Sequence, residues 1–190
     1  MTGLLATALT GFFVYATLPG ATLASTDGQG ASVEPAYQEL HVAMTAYNAV
    51  EAQTDGDPHI TAIGAYSDPD IVAARSQDLA DELPYGTVIA VVADPDSKDP
   101  KCGLAAVHDL IGYRVVADAM HPRMKNKIDI LFDTKPVSFG GRKVNPARVL
   151  GVCSDVTIQV IGRVDTAHMP RNQAELAAMM GVANYALAGK

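Results

Sequence analysis

Residues 112–133 read GYRVVADAMHPRMKNKIDILFD, and their pattern sets the fold class of the chain. Tyr113 to Ala117 (YRVVA) and Ile128 to Phe132 (IDILF) are short runs of β-branched and aromatic residues, each the length of a buried strand. The stretch holds three aspartates, Asp118, Asp129 and Asp133. Asp118 and Asp133 end their runs, whereas Asp129 lies inside one. A carboxylate there is costly to bury unless it is paired, hydrogen-bonded or used in chemistry.

The same reading extends outward in both directions. Gln38 to Ala46 alternates, with Leu40, Val42 and Met44 on one face. Thr61 to Gly64 reads as a short strand. Thr87 to Ala93 (TVIAVVA) carries no charge and is expected to be buried on both faces. Val156 to Val164 (VTIQVIGRV) alternates again. Asp94 to Lys101 and Lys135 to Asn145 read as loops, Ser76 to Glu82 as a helical turn capped by Ser76, and Leu104 to Asp109 as either helix or strand. Near the end, Asn172-Gln173-Ala174-Glu175 has the form of a capping box, and a helix or tail of about fifteen residues is expected to follow with its apolar side on the barrel. Many short strands and few helices make a mainly β protein.

Several strings, in order, resemble the three-aspartate ("3D") domain, a double-psi β-barrel related to the catalytic barrel of the MltA class of lytic transglycosylases. Lys127 to Phe132, with Asp118 eleven residues before Asp129, resembles that family's A-x-D-T-G-G-x-I-K-G-x-R-I-D-x-Y-F. Thr45-Ala46-Tyr47 and Ile60-Thr61-Ala62-Ile63-Gly64 resemble its T-A-Y and T-A-T-G strings. Ile71-Val72-Ala73 with Leu83-Pro84-Tyr85-Gly86-Thr87-Val88, and Phe139-Gly140-Gly141-Arg142-Lys143-Val144, resemble two more. The resemblance spans about residues 44–162 and implies a six-stranded double-psi β-barrel with short helical segments and a C-terminal helix. It departs at Asp118-Ala119-Met120-His121, where the family has D-T-G-G, and at Ser76, where the family has its first aspartate.

The composition bounds the function. Lys and Arg number 14 against 21 Asp and Glu, a net charge of −7, which argues against nucleic acid as the main partner. Residues 1–24 hold no charged side chain, and an apolar run ends at Pro19-Gly20 before small residues. They read as a secretory signal peptide or an uncleaved membrane anchor through residues 3–24. Residues 25–37 read as a linker, 38–166 as the barrel and 167–190 as the C-terminal helix and tail. The two cysteines, Cys102 and Cys153, fit one disulfide in an exported protein, periplasmic or extracellular; two free thiols are the other reading.

The resemblance implies chemistry on peptidoglycan glycan strands, without metal or organic cofactor. Lytic transglycosylases cleave the bond between N-acetylmuramic acid and N-acetylglucosamine, using one aspartate to protonate the leaving oxygen and then to deprotonate the muramic C6 hydroxyl. Asp129 matches that position, and its apolar flanks are the setting that raises a carboxyl pKa. Asp118 is expected to support it by holding Asp129, a sugar hydroxyl or the turn backbone. Tyr47 and Thr61 match groove positions. His121 and Arg123, between the aspartate strands, are candidates for contacts to an acetamido group or a stem-peptide carboxylate, and Asp133 is a further substrate-binding candidate or a plain loop residue. The rival readings are a non-catalytic glycan-binding module and a scaffold protein that uses the barrel and its C-terminal helix.

Overall fold

Alternation builds the first strand, β1 (Gln38–Asn48): Val42 and Met44 turn inward and are buried, while Glu39 and His41 stay in water. The computed structural model describes residues 37–54, 57–94 and 99–181, which belong to one compact unit beginning at Ala36. The expected signal peptide or anchor, nearly all of the expected linker and the residues beyond Gly181 lie outside the described residues. β2 (Val72–Arg75), β3 (Thr87–Val91), β4 (Tyr113–Ala119), β5 (Lys127–Phe132) and β8 (Cys153–Arg163) complete a closed barrel with β1, in the order β1-β5-β2-β4-β3-β8. β1 and β5 run parallel, as do β2 and β4, and the other four pairs are antiparallel. Exchanging β1 with β4, β2 with β5 and β3 with β8 leaves this pairing unchanged. The protein is therefore mainly β, with a closed six-stranded mixed barrel of pseudo-twofold pairing, compatible with a double-psi β-barrel.

Two apolar clusters hold it. One fills the barrel, with Met44, Ala73, Ile89, Val116, Ile128, Ile130 and Ile158. The other lies outside β2, β3 and β4 and includes Val72, Val88, Val115 and Leu131. Strands buried on both faces need no polar alternation, which is why β2, β3 and β4 are nearly continuous apolar runs. The exceptions are Arg75 of β2, which is buried, and Arg114, fully buried, whose guanidinium donates to the carbonyls of Pro69, Leu110, Ile111 and Leu131. Burial pushes its pKa down to about 10.

Two segments and the expected cap differ from the sequence reading, and one open segment resolves. Ser76 precedes a short helical turn, but its hydroxyl accepts from Lys127 N–H and does not cap it. Leu104 to Asp109 belongs to helix α1 (Leu104–Ile111), whose buried Leu104, Val107 and Ile111 follow helical spacing. Residues 135–145 contain a hairpin, β6 (Val137–Phe139) and β7 (Arg142–Val144), closed by Gly140 and Gly141 at φ 53° and 78°. Two consecutive positive φ angles suit a tight two-residue turn that glycine alone adopts without cost. Thr61 to Gly64 is a turn, with Gly64 N–H donating to the Thr61 carbonyl. Between β7 and β8, Asn145 caps α2 (Pro146–Leu150). Here Gly103 meets Val149 so closely that a Cβ would lie 1.9 Å from its carbonyl oxygen. Cys102 and Cys153 beside it are joined by a disulfide, Cα atoms 4.5 Å apart.

The last helix, α3 (Gln173–Met180), begins at Asn172, whose side chain accepts from Glu175 N–H, and stops at Gly181 in the left-handed region. Glu175 reaches back to Arg171 N–H at 2.9 Å. Leu176 and Ala177 are buried in the outer cluster. The helix thus covers eight residues, because Gly181 ends it.

Candidate active site

Register brings the chemistry together. Thr45 of β1 pairs with Asp129 of β5, Asp129 with Ala74 of β2, and Ala74 with Asp118 of β4. The four residues form one row across adjacent strands on the outer face of the barrel. Asp118 reaches that row through a bulge. Val72 and Ala73 pair with Val115 and Val116, but Ala74 pairs with Asp118, so Ala117 is the extra residue. Plain alternation after the inward Val116 would turn Asp118 into the barrel, and the extra residue re-aims it outward.

Ala74, Asp118 and Asp129 of this row line a groove of about 540 Å³ together with Tyr47, Thr61 and His121, among others. Ala74, between the aspartates, carries only a methyl group. Asp129 is half-buried, and the Thr45 hydroxyl donates to its Oδ1 at 2.8 Å. Burial raises its pKa to about 6, against the opposing pull of the Thr45 hydroxyl and Lys127, with nearby Asp118 adding a smaller push upward. A carboxyl in that range can both give and take a proton near neutral pH.

Asp118 is held differently. Its Oδ2 accepts from the Tyr47 hydroxyl at 2.8 Å, and its Oδ1 from Ala62 N–H and Ala119 N–H, each at 2.9 Å. Asp118 thus bonds the turn backbone, as the sequence reading allowed, and also Tyr47. It fastens the 60–66 turn to the barrel beside Asp129. Burial, and then Asp118, keep the Tyr47 phenol well above its usual pKa. Thr61 is buried, and its hydroxyl bonds both the N–H and the carbonyl of Ala65, so it shapes the turn from within.

The remaining candidates separate. His121 is exposed on the groove wall, and its Nδ1 accepts from the N–H and Nε of Arg123. Arg123 orients His121 and does not line the groove. Asp133 lies four residues beyond Asp129, ~13 Å along the strand. It accepts from Lys135 N–H at 2.9 Å, and that bond holds its carboxyl below the usual range. It belongs to the turn after β5, away from the row. Two residues of the site had no assigned role in the sequence: Thr45, read only as part of a matching string, and Ala74. Only strand pairing reveals them, since Thr45 lies 84 residues from its partner.

Among the described residues, no group of three or more His, Cys, Asp or Glu side chains is placed to hold a metal ion. Against known proteins, no family model matches the chain and no curated sequence matches it.

Proposed function

We propose that this groove cleaves peptidoglycan glycan strands by lytic transglycosylation, with Asp129 as the acid/base, in a barrel of the three-aspartate type. The observation that carries the reading is Asp129 itself: a half-buried carboxyl lining an open groove, with a pKa of about 6 and a hydrogen bond from the Thr45 hydroxyl. Protonated Asp129 donates to the glycosidic oxygen as the bond from the anomeric carbon of N-acetylmuramic acid breaks. The resulting carboxylate takes the proton of the muramic C6 hydroxyl as that oxygen bonds to the anomeric carbon. Asp129 ends protonated, no water is consumed, and the product is a 1,6-anhydro sugar. Asp118 acts as a positioning residue by fixing Tyr47 and the 60–66 turn. Export is part of the same proposal, and the disulfide supports it, because such bonds persist in oxidising compartments.

A second reading, glycan binding without cleavage, draws on Met120 and His121, which line the groove where the family has glycines. Mass spectrometry of the soluble products from murein sacculi separates the possibilities. Anhydromuropeptides are expected. Hydrated reducing ends would replace the transglycosylase with a hydrolase, and no release with sacculus binding intact would favour the binding module.

A further inference from the structure

The rim of the groove carries apolar surface that the aspartate row does not use. Ile60 is 49% exposed and Met124 40%, and both line the groove; Tyr66, beside Ile60, is 64% exposed. Exposed apolar groups gathered at a cleft mark a surface that something covers. Ile60 and Tyr66 form an antiparallel bridge. Residues paired in this way project to the same side, so Tyr66 continues outward the wall that Ile60 begins. The His59 ring lies parallel to that of Tyr66, with centroids 6.4 Å apart and planes within 5°. Ser67 N–H donates to the His59 carbonyl, and Ala62 N–H to Asp118, so the turn that presents the two rings is fixed to the same carboxylate that lies in the row.

We propose that the His59–Tyr66 pair is a stacking subsite for a sugar ring of the glycan strand beyond the cleaved bond, an inference that rests on the glycan reading above. A pyranose presents axial C–H groups on its faces, and these pack against the π-face of an aromatic ring; its hydroxyls stay at the rim and remain hydrated. A parallel pair of rings at the groove lip suits such a flat, half-apolar ligand. Asp129 and Ile60 line the same groove, and the bridge from Ile60 to Tyr66 gives a strand held at Asp129 a route to the rings.

The test is calorimetric binding of glycan strands stripped of stem peptides, supplied as single disaccharide repeats and as longer strands, to protein carrying Asp129→Asn to prevent turnover. Longer strands are expected to bind more tightly than the disaccharide. Adding Tyr66→Leu is expected to reduce that gain by about tenfold, near the upper limit of one aromatic contact. Tyr66→Phe keeps the ring and is expected to keep the gain. An unchanged gain in Tyr66→Leu would remove the subsite while leaving the glycan reading in place. A gain lost equally in Tyr66→Phe would overturn stacking in favour of the hydroxyl. No binding of either strand, with or without the Tyr66 changes, would take down the glycan reading and the subsite together.

Discussion

Asp129 ties stability to pH as well as chemistry to geometry. Its pKa is about 6 in the folded chain, above the unfolded value near 4. Below pH ~4 the carboxyl is protonated in both states and costs nothing. Between about pH 4 and 6 the unfolded chain releases the proton first, so folding stability falls as pH rises, by ~2–3 kcal/mol in all. Asp129→Asn cannot ionise, and its stability is expected to lack that slope and to exceed wild type by ~2 kcal/mol at pH 8. Urea titrations at several pH values measure it, and parallel curves for both proteins would contradict it. Thr45→Val removes the hydrogen bond that opposes the shift. Asp129 should then hold its proton to higher pH, moving the alkaline limb of the kcat profile upward; an unmoved limb would show that Thr45 does not act through Asp129. Asp129 was visible in the sequence because a charge in an apolar run breaks the pattern. Thr45 was not, because nothing local sets it apart from the alternation of β1. Asp118 was visible as a residue but not in its orientation, since the bulge at Ala117 leaves no mark on spacing.

At the scale of elements, the pieces that read clearly are the strands whose burial leaves a pattern, β1 by alternation and β3, β4 and β5 as apolar runs. α1 was open between helix and strand because LAAVHDLI is too short for one period to win. The hairpin of β6 and β7 read as a loop because its flanks are polar and only partly buried, although Gly140-Gly141 carried the turn signal. α3 shows how a short helix is fixed. Gln173 Oε1 accepts from Tyr113 N–H at 2.9 Å, while its Nε2 donates to the carbonyls of Tyr113 and Asp70. Gln173→Ala removes two bonds to Tyr113 at the start of β4 and one to Asp70, a loss of ~2–3 kcal/mol. Hydrogen exchange is expected to show protection lost over residues 173–180 while β5 and β8 keep theirs. Retained protection of α3 would mean that Leu176 and Ala177 suffice to hold it.

Across the whole molecule, closure of the barrel depends on pairings that no local pattern contains. Parallel partners such as β1 and β5 are far apart in sequence, and only the family resemblance pointed to their arrangement. The disulfide spans 51 positions, and its reduction releases a loop of that size in the unfolded chain. The expected loss is about 4 kcal/mol. Urea unfolding of oxidised and reduced protein measures it, and equal midpoints would show that the barrel stands without the bridge. The pseudo-twofold places Asp129 opposite Ala74, so one half of the barrel supplies the groove carboxyl and the other a methyl group in the equivalent place. The central claim is that this carboxyl transfers the proton. The measurement that bears on it most directly is the digestion of murein sacculi by wild type and Asp129→Asn in parallel, with sacculus pull-down of both. Anhydromuropeptides from wild type alone, with equal pull-down, are the expected result. Equal release by the Asp129→Asn protein would contradict it.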